Sequence, residues 1–351
     1  TSNGITASDS REAADIVAGT SFSLGYINSY SVAAGVQSIY LVNKAGKVVT
    51  ANSDSLYAAS ASLALRYKTA DNSTTSLVDS LSAESWPIPL YHYAVIRQRF
   101  SYSDCAIANA AVKFIKWLVM DSQVGSQLQS RGMVPIPDAI ASIAMNKLGL
   151  VTCGDKPVIA PSSNLMISAT GATLPFLAYS MWTYTFRYVD PTILISYEPT
   201  GSGVGQTAML TATKDFAGTD SPLSSAQVNQ RPTLGLYPTI IGALVLAYNL
   251  PFLTADDPTL ILDRACVADI FRGTIQFWND SRIGALNPAL ASKLPALNIT
   301  VVHRSDKSGT TGVFTTALAL FSTAWASFSG AQTLNWAVDA MGRGVGGEGN
   351  E

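Results

Sequence analysis

The sequence predicts an α/β protein built from two lobes or domains. Segments that favour strands alternate along the chain with segments that favour helices, which is typical of a sheet covered by helices. At 351 residues the chain is too long for one ordinary hydrophobic core. It is 48% hydrophobic and only 13% charged, a composition typical of globular proteins and not of disordered ones.

The charge balance and the longest apolar run exclude two classes of protein. A net charge of -2 provides no basic field, so no nucleic-acid partner is expected. The apolar run at residues 239–250 lies between Pro238 and Pro251 and is shorter than the roughly 20 residues that a membrane-spanning helix needs. It is predicted to be a buried strand.

The N-terminal part of the chain carries two helical patterns. Residues 11–18 predict a short helix, and residues 104–132 predict one long helix. Ser103 or Asp104 is the expected N-cap of the long helix, and Gly132 is its expected end.

Strands and helices alternate regularly after a polar linker that contains Pro157 and Pro161. A strand followed by a turn is predicted within 165–175, and further strands are predicted at 192–199, as a pair within 236–248, and at 298–305. The predicted helices are 176–186, one beginning at 203, 263–273 and 309–321. The glycine-rich residues 342–350 are predicted to form a surface loop.

Three turns of small residues each join a strand to a helix, at 169–175, 200–205 and 305–312. A helix N-terminus has unpaired N–H groups and a partial positive charge, so it can hold an anion. Arg304 precedes the third turn and would offer two parallel donors to an oxyanion. The turns therefore predict an anion site, while the alternative is that each one only caps its helix.

Asp220 follows the strand-like residues 216–219 and adds an acceptor to this set of donors. An ionised carboxylate only accepts hydrogen bonds, so it favours an anion that still carries a proton and disfavours sulfate. The alternative is that Asp220 is an ordinary turn or cap residue.

The three cysteines have no spacing typical of a metal site. Cys105 and Cys153 could form a disulfide in an exported chain, with Cys266 buried and unpaired. Three unpaired thiols are the alternative.

With these segments together, the sequence resembles the phosphate-binding proteins of bacterial phosphate ABC transporters. The matching stretches are 168-SATGATLPFLAYSMW-182, 201-GSGVG-205, 215-DFAGTDSPLS-224, 237-YPTIIGALVLAYN-249, 269-DIFRGTIQFWND-280, 302-VHRSDKSGTTGVFT-315, 25-GYINSYSVA-33 and 86-WPIPLYHYAVI-96. They cover most of the chain, but their order differs from that of the family. The part that is late in the family comes first here, and 346-GGEGN-350 followed by 4-GITASDSREAADIV-17 resembles one continuous family segment. The chain therefore resembles a circular permutant, either engineered or excised from a natural tandem array.

The resemblance implies a two-lobed periplasmic-binding-protein fold of type II, circularly permuted, with a ligand cleft between the lobes. One lobe would be contiguous at residues 90–246, with residues 151–167 linking the family's usual termini. The other lobe would be discontinuous, at residues 1–89 and 247–351.

The resemblance also implies a set of phosphate ligands. Thr173 would donate a hydrogen bond to phosphate through its hydroxyl, and Leu174 would donate through its backbone N–H. Ser202 would donate from the second turn. Asp220 would accept the phosphate proton. Arg304 would make the charged contact with Asp306 orienting it, and the third helix start would contribute Ser308, Gly309 and Thr310.

Catalysis is not expected. A triad of Ser308, His303 and an aspartate would need His303 to face the pocket beside Arg304, but successive side chains of a strand point to opposite faces.

The expected protein is a monomeric, extracytoplasmic receptor for inorganic phosphate, with no metal and no cofactor. It is expected to work with an ABC permease or with neighbouring repeats of a larger chain. The alternative is a surface or interaction module that kept the fold and lost its ligand.

Overall fold

The computed structural model describes residues 10–32, 36–61, 78–129, 133–154, 156–157, 165–254 and 256–347. The chain divides into two compact units. One holds the described residues of Thr1–Ser62, Leu77–Leu90 and Gly242–Glu351, and the other holds those of Tyr91–Ile241. The two are called the discontinuous unit and the contiguous unit below.

Strands and helices alternate through most of the described chain, and the α/β prediction is confirmed. The strands are β1 Ser23–Asn28, β2 Gln37–Ser38, β3 Tyr40–Val42, β4 Val48–Val49, β5 Pro89–Arg97, β6 Arg99–Phe100, β7 Thr152–Cys153, β8 Lys156–Pro157, β9 Leu165–Gly171, β10 Ile193–Pro199, β11 Phe216–Thr219, β12 Leu234–Asn249, β13 Ile261–Asp263, β14 Thr300–Arg304 and β15 Gly344–Gly347. The α-helices are α1 Ser10–Gly19, α2 Ser53–Ala61, α3 Cys105–Met120, α4 Ser122–Gln129, α5 Asp138–Leu148, α6 Phe176–Val189, α7 Ser202–Thr211, α8 Ser225–Gln230, α9 Arg264–Arg272, α10 Ser281–Leu286, α11 Gly309–Phe321 and α12 Ala337–Ala340. Short 3-10 turns occur at Ser29–Ser31, Tyr102–Asp104 and Thr323–Phe328.

The sheet of the contiguous unit runs in the order β10, β9, β11, β5 and the beginning of β12. β9 pairs in parallel with β10 and β11, and β11 pairs antiparallel with β5. Helices α3 and α7 pack on β9, and α6 packs on β10. The parallel strands place the turns before α6 and α7 at one edge of this sheet, which is where ligands bind in open α/β sheets.

The sheet of the discontinuous unit runs from the end of β12 through β1 and β14 to β15. β1 is antiparallel to β12 and parallel to β14, and β15 is parallel to β14. Helix α1 packs on β1 and β14, and α9 packs on α11. The end of β14 and the start of α11 thus lie beside the core of this unit.

The predicted pair of strands within 236–248 is wrong, because β12 is one strand of 16 residues. All of its residues except Asn249 are buried. A strand covered on both faces forms a nearly continuous apolar run, which does not show where a strand ends, and Pro238 is accommodated without ending β12.

The predicted single helix at 104–132 is also wrong, because Asp121 separates α3 from α4. Asp121 is extended, with φ -83° and ψ 127°, and its Oδ1 accepts a hydrogen bond from the N–H of Gln123 at 2.9 Å. The side chain thereby caps a second helix, as aspartate does at helix starts. Asp104 precedes α3 but makes no side-chain cap hydrogen bond, and Gly132 lies outside the described residues.

The glycine-rich C-terminal segment is not simply a loop. Gly344–Gly347 form β15 along β14, while residues 348–350 lie outside the described chain. A pairing between segments so far apart in sequence leaves no local pattern. The predicted linker is structured at both ends, where β7 pairs with β8 and where β9 begins at Leu165.

Cys105 and Cys153 form a disulfide that joins the start of α3 to β7, with Cα atoms 5.3 Å apart. Cys266 is a buried free thiol, and burial raises its pKa to about 12.

Among the described helices, none has both the length and the apolar character required to cross a membrane.

Candidate anion-binding site

The first set of predicted ligands lies in the contiguous unit, where two turns meet at Gly171. The carbonyl of Gly171 accepts hydrogen bonds from the N–H groups of Thr200 at 2.9 Å and Gly201 at 2.8 Å. Gly171 has φ 138°, and a Cβ there would lie 2.1 Å from the carbonyl oxygen of Gly218. Only glycine allows this approach. The end of β9, the start of α7 and the end of β11 therefore converge.

Thr173 and Leu174 follow directly, in the turn before α6. The carbonyl of Thr173 accepts a hydrogen bond from the N–H of Phe176 at 3.2 Å, which closes the turn. Leu174 is 1% exposed, so its side chain belongs to the core and only its backbone is suited to a polar ligand.

Ser202 and Asp220 are brought together although they come from different turns. The N–H of Asp220 donates to Ser202 Oγ at 3.2 Å, and both residues are buried. Gln206 holds the Asp220 turn, since its Nε2 donates to Thr219 Oγ1 at 2.9 Å and to the carbonyl of Ser221 at 3.1 Å. The backbone of Asp220, the hydroxyl of Ser202 and the start of α7 thus lie together in a buried position.

His92 also contacts Asp220, which the sequence analysis did not predict. Its Nδ1 lies 2.9 Å from Asp220 Oδ1, and the ring is fully buried. The two residues are 128 positions apart, so no motif connects them. Only the pairing of two strands brings them together, since Thr219 of β11 lies opposite Tyr93 of β5.

The second set lies in the discontinuous unit at the end of β14. Arg304 is 3% exposed and donates from Nε and Nη2 to the two carboxylate oxygens of Asp306, each at 2.5 Å. This forked pair fixes the plane of the guanidinium. The contact fits the orienting role that the family resemblance implies for Asp306.

Tyr26 connects Arg304 to the start of α11. Its hydroxyl accepts from the N–H of Arg304 at 3.1 Å and lies 2.7 Å from Thr311 Oγ1. Burial raises the pKa of Tyr26 to about 12, and its hydrogen bond with Thr311 opposes part of that shift. The phenol therefore stays neutral across the pH range in which most proteins are stable, and over that range its hydroxyl can keep its hydrogen bonds with Arg304 and Thr311.

Ser308 is the N-cap of α11, and its Oγ accepts a hydrogen bond from the N–H of Thr311 at 3.3 Å. Its hydroxyl proton is still available to donate elsewhere, because a serine hydroxyl both donates and accepts. Gly309 and Thr310 are buried in the first turn of the helix, where backbone N–H groups have no partner within the helix.

His303 has a structural environment away from Ser308. Its Nε2 lies 2.8 Å from Asp339 Oδ1, its Nδ1 lies 3.2 Å from the carbonyl of Arg304, and the ring stacks on Trp336 with centroids 5.0 Å apart. Both ring nitrogens are engaged with groups other than a serine. Within the described part of the chain, no group of three or more His, Cys, Asp or Glu is placed to hold a metal ion.

A family model for the PBP superfamily domain matches residues 156–347, more than half of the chain. The chain belongs to the PBP superfamily. This confirms the periplasmic-binding-protein fold class, while the circular order stays a prediction.

Relatives of this PBP-superfamily chain include the phosphate-binding protein PstS of Methanocaldococcus jannaschii. It is 41% identical over 234 residues, which cover 61% of this chain and 59% of the relative. The chain thus spans about three fifths of the length of that relative. The predicted resemblance to phosphate-binding proteins is confirmed by this similarity.

A protein of Acanthamoeba polyphaga mimivirus, named as a serine/threonine-protein kinase/receptor, is 30% identical over 302 residues. The match covers 84% of this chain but only 18% of that protein. Among solved structures, a phosphate ABC transporter phosphate-binding protein from Streptococcus pneumoniae has a TM-score of 0.45 and 13% identity, and the match covers 76% of this chain and 80% of that one.

Proposed function

We propose that this PBP-superfamily chain binds inorganic phosphate and catalyses no reaction. The observation that carries the proposal is the buried Asp220, placed at the start of α7 with its N–H donating to Ser202. A carboxylate at a helix start that is otherwise suited to anions is explained by an anion that brings its own proton.

Both sets of residues contact one phosphate in this proposal, in the interlobe cleft that the family resemblance implies. The proposed ligands are Thr173, Leu174, Ser202, Asp220, Arg304, Ser308, Gly309 and Thr310, with Asp306 orienting Arg304. The lobes would hinge closed on the anion. The support for this is that each unit presents its residues at buried helix starts or strand ends.

Asp220 would set the selectivity. Monohydrogen phosphate can donate its proton to a carboxylate, whereas sulfate carries no proton near neutral pH and meets an acceptor that repels it. Arg304, held flat by Asp306, would neutralise part of the anion's charge through two parallel N–H donors.

The name of the Methanocaldococcus jannaschii relative supports phosphate as the ligand. The kinase part of the mimivirus protein's name supports no activity here, because the match covers 18% of that protein. We infer a non-catalytic receptor, with an ABC permease or neighbouring repeats of a larger chain as its partner and with a monomeric binding unit.

An extracytoplasmic location is proposed on the basis of the Cys105–Cys153 disulfide, because such bonds persist in oxidising compartments and are rare in the cytosol. A natural origin for the permuted order is supported by the mimivirus relative, whose alignment extends over 84% of this chain against 61% for PstS.

Calorimetric titration of phosphate-stripped protein with phosphate, arsenate and sulfate near neutral pH tests the proposal. Heat with phosphate, weaker binding of arsenate and none of sulfate are the expected results. Absence of heat with all three anions would favour an interaction module that has lost its ligand.

A further inference from the structure

We propose that His92 is a positioning residue for anion selectivity, because its imidazole N–H fixes the orientation of the Asp220 carboxylate, the group that accepts the proton of the anion. This inference rests on the proposed phosphate binding. It assigns a role in selectivity to a residue that does not itself contact the ligand.

The sheet register places the two side chains together. β11 pairs antiparallel with β5, with Phe216 opposite Ile96 and Thr219 opposite Tyr93. Asp220 directly follows Thr219, and His92 directly precedes Tyr93 on β5. The strand pairing therefore brings the two side chains close together, with Nδ1 of His92 2.9 Å from Oδ1 of Asp220.

The surroundings of the ring determine which nitrogen carries the proton. His92 Nε2 is buried and has no hydrogen-bond partner among the described residues. It packs against Gly218, where an added Cβ would lie 3.0 Å from it, and the ring edge meets Tyr179 at a centroid distance of 5.4 Å. A cationic imidazole would leave a buried N–H donor without an acceptor at Nε2, which is costly. The neutral ring with its proton on Nδ1 avoids that cost and donates to Asp220.

The backbone of His92 is anchored as well. Thr239 Oγ1 of β12 donates to the carbonyl of His92 at 3.1 Å. With the strand and the ring both fixed, the donor stays directed at the same carboxylate oxygen.

This donor matters because its hydrogen bond fixes the orientation of the buried Asp220 carboxylate. A carboxylate that could turn would no longer present an acceptor at the position of the phosphate proton, and in the proposed site that acceptor distinguishes phosphate from sulfate. Loss of the His92 donor is therefore expected to relax selectivity, not only to weaken binding.

The test compares His92→Leu, which removes the donor, with His92→Asn, whose amide N–H can replace Nδ1–H. Phosphate and sulfate dissociation constants are measured by calorimetry on the full chain. We expect His92→Leu to lower the preference for phosphate over sulfate at least about tenfold, the effect of one hydrogen bond to a charged group. His92→Asn should keep most of the wild-type preference.

If His92→Leu preferred phosphate over sulfate as strongly as the wild type does, the role of His92 would be overturned, while the proposal of phosphate binding would stand. Equal losses in the Leu and Asn variants would also overturn it, since they would indicate ring packing. If the wild-type protein bound no phosphate, the proposed function and the role that rests on it would both fail. Should His92→Leu not fold, His92→Met removes the donor with a more adaptable side chain, and the same two outcomes apply.

Discussion

Asp220 and Arg304 are buried residues of opposite charge, and each is held by neighbours on its own unit. Asp220 is contacted by Ser202 and His92, and Arg304 is paired with Asp306. Buried charges are retained when hydrogen bonds compensate for lost hydration. The side chains are therefore arranged before any ligand arrives, which reduces the ordering cost of binding.

Replacing the carboxylate should change selectivity. We expect Asp220→Asn to reduce the preference for phosphate over sulfate, because an amide can donate to sulfate as well as accept from phosphate. The loss should be on the order of tenfold or more, measured by paired titrations with the two anions. Asp256→Asn, at an exposed position, is the matched control. Unchanged selectivity in Asp220→Asn would contradict the proton-acceptor mechanism.

Replacing the guanidinium should weaken binding of phosphate. Lysine keeps the charge of Arg304 but cannot form the planar fork. Arg304→Lys is expected to raise the phosphate dissociation constant about 10- to 100-fold, the effect of losing a strong charge-assisted bond. Titration of Arg187→Lys, an exposed arginine, controls for the substitution itself. Equal affinities of Arg304→Lys and wild type would disprove the forked contact between the guanidinium and phosphate.

At the scale of elements, the first set of ligands depends on how closely α7 approaches the end of β9. A Cβ on Gly205 would lie 2.7 Å from the Cα of Gly171 and 3.0 Å from the carbonyl oxygen of Gly218. Glycine at position 205 is thus needed for α7 to pack closely on the sheet. This close approach sets the position of Ser202 relative to Asp220.

Gly205→Ala should therefore separate the helix from the sheet. We expect a loss of about 1–3 kcal/mol in the free energy of unfolding, typical of overpacking, together with weaker phosphate binding. Urea unfolding and titration measure the two effects. Val204→Ala, at a side chain that is 50% exposed, should change neither by much. If Gly205→Ala were as stable as the wild type, α7 and the sheet could accommodate a Cβ at position 205, and the close-packing argument would be wrong.

At the scale of the whole molecule, the disulfide between Cys105 and Cys153 closes a loop with a sequence separation of 48. Restricting the unfolded chain by a loop of this length stabilises the folded state by about 4 kcal/mol in the chain-entropy estimate. The bond also ties the start of α3 to β7, which lies at the beginning of the linker region.

Removing both sulfurs should lower stability without removing the ligands. We expect the Cys105→Ser, Cys153→Ser double variant to lose about 2–4 kcal/mol in urea unfolding and to retain phosphate selectivity. In reductant, the free energy of unfolding of the wild-type protein should fall toward that of the variant. The free energy of unfolding of the variant should not change in reductant. Equal stability of the oxidised wild type and the double variant would exclude a stabilising role.

The sequence by itself determined the α/β class, the strand–turn–helix segments and the residue types that line the candidate site. These follow from local periodicity, from small residues at helix starts, and from the chemistry of Arg304 and Asp220. Such signals extend over a few neighbouring residues and so survive in a single sequence.

The tertiary structure decided which distant segments meet. It paired His92 with Asp220, placed Gly344–Gly347 along β14, continued β12 through Pro238 and ended α3 at Asp121. Strand register and packing join residues far apart in the chain, where local propensity gives no information and burial selects among the alternatives.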